Sequence, residues 1–253
     1  MKIFDFHMHT AYDFNNKSGG SREFLAEAKA AGITRCAGCA IDMASNGQPI
    51  ENYGDIITRL NSHAYEIEAE HPDFYTAGVH VHPDFVDLSC EIMREHKSRG
   101  GLLVGELVYY MMGYQYDHKG LYEIFSYADE LGMVVSLHPS SKRYADMEKL
   151  LTSFPNLKIV IAHLDGYGLF DNIIDLMKKY PNMYTDISAY GAQRIGMLAD
   201  ADAKIGCDRI LFGTDFPGYK IQPFIDAVLN SGLSDDKIDN ILYNNAAKLL
   251  NVE

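Results

Sequence analysis

At 253 residues and 47% apolar side chains, the chain can bury a large core, and its length suits one domain over residues 1–253 rather than two. A formal charge of −13, with 22 Lys and Arg against 35 Asp and Glu and no basic run, disfavours a nucleic-acid partner, because counterion release needs clustered cations. Four scattered cysteines exclude a disulfide framework, no run approaches the ~18 apolar residues of a membrane span, and no apolar leader precedes the first histidines, so a cytoplasmic protein without a membrane partner is expected.

The first strand candidate, 2–8, runs through Ile3-Phe4-Asp5-Phe6 into His7 and His9. Ser21 then suits a helix N-cap, and that helix stops at Gly32 before a second strand at 34–41. Cys36 and Cys39 in this strand form a CxxC without a second pair, and they are read as buried thiols. Ile56, Leu60, Ala64 and Ile67 carry helical spacing ahead of a third strand at 75–81, which ends in a second HxH, His80-Val81-His82. The fourth strand, 101–107, runs through Leu102-Leu103-Val104-Gly105 into Glu106.

A helix with Leu121, Ile124, Phe125 and Ala128 on one face stops at Gly132 and feeds the fifth strand, 133–138, which ends on His138. The sixth, 157–163, ends on His163; the seventh, 183–188, contains Asp186. Gly206 precedes the eighth, 209–214, which runs into Asp215, and Ser234 suits the N-cap of a late helix. Helix, glycine and immediate strand, repeated, is the grammar of βα units. Eight such strands predict an α/β protein, a single (β/α)8 TIM barrel. An open doubly wound sheet would normally place a glycine-rich phosphate loop after the first strand, where this chain has His7-Met8-His9.

In a parallel barrel the last residue of each strand faces a shared mouth. An HxH alone is weak, arising by chance about 0.4 times in a chain with this histidine content. The stronger signal is that five strands end in His7 and His9, Glu106, His138, His163 and Asp215, in step with the βα repeat. Five strand ends converging on nitrogen and carboxylate donors are hard to explain as packing, since each buried polar group needs its own partner. They predict one or two divalent metal ions, zinc first, with manganese or cobalt as alternatives.

HxH on strand one, Glu on four, His on five and six and Asp on eight resemble the amidohydrolase superfamily, in wording closest to its amidohydrolase 2 branch and the TatD-like metal-dependent hydrolases. Phe212-Gly213-Thr214-Asp215-Phe216-Pro217 is similar to the strand-eight signature of that branch, and Asn245-Ala246-Ala247-Lys248-Leu249-Leu250 to its closing helix. Gly105-Glu106-Leu107 is similar to the TatD-like strand-four phrase, without that group's following aspartate. The resemblance covers essentially the whole chain.

It implies that His7, His9 and Asp215 hold one ion and His138 and His163 another, with Glu106 bridging. A hydroxide activated between the ions would hydrolyse a small ester, lactone, amide or phosphoester, with Asp215 as general base. The alternative is a mononuclear decarboxylase of a small aromatic or unsaturated acid, in which His163 is released for acid–base work. Glu106 is the deciding residue: turned inward, it points to two ions and hydrolysis. A TatD-like nuclease and a non-catalytic binding barrel rank below both.

The weaker substrate-binding candidates are His80 and His82 at strand three, Arg143 after strand five and Arg194 after strand seven, the two arginines being suited to a carboxylate or phosphate. Tyr12, Tyr109, Tyr110, Tyr167 and Tyr190 near the strand ends suggest apolar walls with hydroxyl tips. His63, His71, His96 and His118 are read as surface or structural. The partner expected is a small molecule, with a homodimer through outer helices left open.

Overall fold

The computed structural model describes residues 1–10, 21–41, 52–140, 142–190 and 194–252. Its strands are β1 (Phe4–Asp5), β2 (Arg35–Gly38), β3 (Tyr75–Val79), β4 (Leu103–Leu107), β5 (Val134–Leu137), β6 (Lys158–Ile161), β7 (Met183–Asp186) and β8 (Ile210–Leu211). They pair in parallel and in chain order, which excludes a doubly wound sheet. Closure runs through backbone just beyond the first and last strands: Phe6 N–H donates to Phe212 O at 2.9 Å, Asp215 N–H to His7 O at 2.7 Å and His9 N–H to Phe216 O at 2.8 Å. The architecture is the (β/α)8 barrel expected.

Helices occupy the crossovers: α1 (Ser21–Ala30), α2 (Tyr53–Glu70), α3 (Val86–Ser98), α4 (Lys119–Glu130), α5 (Tyr144–Ser153), α6 (Phe170–Lys179) and α7 (Met197–Ile205). After β8 come α8 (Gln222–Leu229), α9 (Asp235–Asp239) and α10 (Asn245–Leu250). Gly32, Gly132 and Gly206, each between a helix and the next strand, have φ of 96°, 62° and 71°. A Cβ there would touch nothing, so the left-handed backbone and not crowding is what calls for glycine. Ser234 stands at the N-cap of α9 but its side chain makes no capping bond.

Alternation along the strands splits the core in two. Leu137, Val135, Ile159 and Ile161 pack outward with the helices, while Val134, Val160, Phe4, Ala37, Leu103 and Leu211 fill the barrel interior with Ala246, Leu249 and Leu250 of α10. Helix α10 therefore closes the end where the strands begin. Asn245 pins it there, its Nδ2 donating to Cys207 O and Ile210 O, both at 2.8 Å. With that end sealed, the opposite mouth is left for chemistry. Among the described residues no helix is long and apolar enough to cross a membrane.

Candidate metal centre

Each predicted ligand stands at the mouth, and the structure brings all six together. Glu106, at β4, lies at their middle and is 5% exposed. Its Oε2 is 3.3 Å from His7 Nε2 and 3.6 Å from His9 Nε2, and its Oε1 is 2.9 Å from His138 Nδ1 and 3.4 Å from His163 Nε2. Asp215 Oδ1 closes the β1 side at 3.2 Å from His9 Nε2 and 3.9 Å from His7 Nε2. His7, His9 and Glu106 form one group able to hold an ion, and Glu106, His138 and His163 a second.

The outer nitrogens decide what faces inward. His9 Nδ1 is 2.9 Å from Cys39 O, a carbonyl that only accepts, so Nδ1 carries the proton and Nε2 turns a lone pair to the centre. His7 Nδ1 donates to Asp186 Oδ2 at 2.8 Å, and its buried Nε2 makes no hydrogen bond. Ser188 Oγ spends its one proton on Asp186 Oδ1, so at 2.8 Å it accepts from His163 Nδ1 and leaves that ring's Nε2 as a lone pair too. Lone pairs and carboxylates pointing at one another repel unless a cation sits between them. The donor set therefore fits a divalent ion.

The electrostatics carry the same signature. Burial opposes a charged ring at His7, yet Asp186 and Glu106 hold its pKa well above the usual histidine value. His9 is buried likewise and is raised to about 10, chiefly by Asp215 and the Cys39 contacts. Burial raises the Glu106 carboxyl, but His7 and His138 outweigh it and hold it well below its ordinary range. Asp186, buried and bonded to His7, falls to about 2. The centre draws positive charge.

Local backbone places these groups. His163 and Asp215 have φ of 61° and 62°, as Tyr167 and Ala189 nearby have 58° and 50°, a region side chains rarely adopt and one that gathers at functional sites. Gly213 is needed because a Cβ there would lie 2.8 Å from His7 Cβ. Asp5 ties the barrel seam, accepting from Thr214 Oγ1 at 2.6 Å and from the N–H groups of Thr214 and His7, both at 3.1 Å. Its complete burial lifts its pKa to about 7.

The four weaker candidates each have protein partners of their own. His80 Nε2 donates to Ala40 O at 2.7 Å and His82 Nε2 to Met112 O at 2.8 Å, while the His82 ring stacks on Tyr53. Arg143 is tied to Asp117 at 2.5 Å and to Asp146. The Arg194 guanidinium lies 4.6 Å over the Phe170 ring, beside a cavity of about 310 Å³ lined by Ile195, Met197 and Ala227 rather than by the histidines. Tyr110 and Tyr167 do flank the centre, edge-on to His138 at 5.3 and 5.9 Å. Tyr12 lies outside the described residues. Among the described residues, Ser188, which closes the predicted seventh strand, and the Cys39 carbonyl take part without the sequence having marked either as a site group.

The amidohydrolase 2 family model matches residues 5–252. The chain belongs to the amidohydrolase 2 family. It is 32% identical over 120 residues to a gamma-resorcylate decarboxylase of Polaromonas sp. strain JS666, a match spanning 40% of this chain and 36% of that enzyme's length. Its fold is similar to the 2,6-dihydroxybenzoate decarboxylase from Rhizobium, with a TM-score of 0.75, 18% identity and 99% of each chain covered. It is also similar to a Polaromonas dihydroxybenzoic acid decarboxylase with bound manganese and 2-nitroresorcinol, with a TM-score of 0.76, 17% identity and 99% and 97% covered.

These findings overturn the expectation of a hydrolase. The curated relative and the two solved structures named above are decarboxylases, the alternative drawn from the sequence, and the TatD-like likeness is not supported. Zinc as first choice is likewise unsupported beside a relative holding manganese. The link from an inward Glu106 to hydrolysis fails for a physical reason: a ligand set fixes where ions sit, not which substrate bond lies against them.

Proposed function

We propose that the chain is a metal-dependent decarboxylase of a small aromatic or unsaturated carboxylic acid, with its whole length forming the barrel domain. The observation that carries this is the convergence of imidazole lone pairs on the Glu106 and Asp215 carboxylates. The decarboxylases among its relatives favour this reaction over others the same ligands could serve. His7, His9, Asp215 and Glu106 would hold a divalent ion, manganese by preference, with His138 completing the set. When bound, the ion supplies Lewis-acid charge for the substrate's carboxylate and neighbouring oxygens.

Asp215 is the most open carboxylate of the centre, its side chain 14% exposed against 4% for Glu106. It would hold the proton that passes to the carbon bearing the carboxylate, as the bond to the carboxyl carbon breaks and carbon dioxide leaves. His163, fixed by Ser188, would orient the carboxylate. Tyr110 and Tyr167 offer ring faces at the mouth, being 46% and 56% exposed, and suit a flat substrate.

The test is carbon dioxide release from a panel of hydroxybenzoates and unsaturated acids, with the protein stripped by chelation and then given Mn²⁺. Release that is lost on stripping and restored by Mn²⁺ supports the reading. No release from any member by protein shown to hold Mn²⁺ defeats it.

A further inference from the structure

Three of the converging histidines have their outer nitrogen fixed by buried acceptors: Asp186 for His7, the Cys39 carbonyl for His9 and Ser188 for His163. His138 is different. Its Nδ1 faces Glu106 Oε1 at 2.9 Å and His163 Nε2 at 3.3 Å, and its Nε2 lies 3.2 Å from the Tyr167 hydroxyl, a group at the rim. A neutral imidazole carries one proton, so His138 can offer a lone pair at Nδ1 only if that proton stays on Nε2.

Tyr167 is built into place. It stands on the short 3-10 turn Gly166–Gly168 with φ 58° and ψ 24°, a left-handed conformation rare for a side-chain-bearing residue. The turn is pressed against the ends of β5 and β6: a Cβ on Gly166 would lie 2.9 Å from Pro139 Cγ and 3.1 Å from His163 Cβ. The Tyr167 and Tyr110 rings both meet the His138 ring edge-on, at 73° and 77°.

We propose that Tyr167 is the positioning residue that keeps His138 as an ion ligand, its phenolic oxygen accepting the Nε2 proton so that the Nδ1 lone pair faces Glu106. The inference rests on the metal-centre reading. It makes the fourth histidine's orientation depend on a rim residue, whereas the other three depend on buried ones.

Mn²⁺ binding by calorimetry to the chelator-stripped full chain tests it, using wild type, Tyr167→Phe and His138→Ala, with ¹⁵N chemical shifts of the His138 ring as the second readout. Phe keeps the ring and removes only the acceptor. Tyr167→Phe should weaken Mn²⁺ binding about tenfold, the low end for a group that orients a ligand, and shift the His138 proton from Nε2 toward Nδ1. Unchanged affinity and shifts in Tyr167→Phe, with binding weakened in His138→Ala, would overturn the role of Tyr167 and leave the metal centre standing. Binding unaffected by His138→Ala would remove His138 from the centre and the proposal with it.

Discussion

His7 Nδ1 and Asp186 Oδ2 stand 2.8 Å apart with both residues buried, joining the first strand end to the seventh across the barrel mouth. Asp186 does more than fix one ring. Its Oδ1 accepts from His163 N–H at 3.1 Å and from Ser188 N–H at 3.0 Å, so one carboxylate orients two candidate ligands. Asp186→Asn keeps the shape and removes the charge. Mn²⁺ affinity is expected to fall about 10- to 100-fold, measured by competition with a chelator. Unchanged affinity would show that the charge on Asp186 is not felt at the centre.

Metal-stripped protein should lose stability as pH rises from 7 to 10. His9 is raised to about 10 in the fold from an ordinary 6.5, so it binds its proton more tightly folded than unfolded. That contribution is complete below 6.5 and disappears as pH climbs through 10. A thermal melt series should show Tm falling across this window, more weakly once Mn²⁺ is bound. A flat series for the stripped protein would refute the pairing of His9 with Asp215.

Arg143→Ala should leave KM for any substrate found within about twofold, because Asp117 and Asp146 already occupy the guanidinium. The expected effect on stability is small, as these pairs are partly exposed and screened. A tenfold rise in KM would mean that the arginine leaves its carboxylates to meet the substrate.

Gly213→Ala places a methyl 2.8 Å from His7 Cβ and 3.4 Å from Ser188 Cβ. Overpacking of this kind costs about 1–3 kcal/mol, and here the strain is relieved by moving a candidate ligand. Mn²⁺ affinity should drop further than the Tm shift alone implies. Calorimetry and thermal denaturation of the same sample separate the two effects, and a stability loss with intact affinity would show that His7 does not move.

The strand order, the glycine stops at 32, 132 and 206 and the meeting of His7, His9, Glu106, His138, His163 and Asp215 were legible in the sequence, because strand ends in a parallel barrel share one mouth. The fate of the second HxH was not. Whether a strand-end imidazole faces the mouth depends on which carbonyl takes its proton, and Ala40 O and Met112 O come from elements 40 and 30 residues away. Ser188 was hidden for the same reason: its role exists only where Asp186 and His163 meet. The reaction was hidden more deeply, since an inward Glu106 is compatible with more than one chemistry.

The seam at Asp5 and Thr214 bears on how the protein is made. Candidate ligands His7 and His9 are made some two hundred residues before Asp215 and the backbone that closes the sheet on them. During synthesis the two early imidazoles wait for the Asp215 carboxylate, and the candidate ion pocket is completed in the same step that joins the ends of the sheet. A chain arrested short of Thr214 would lack both the seam and the Asp215 carboxylate that faces His9, however well its earlier units had folded.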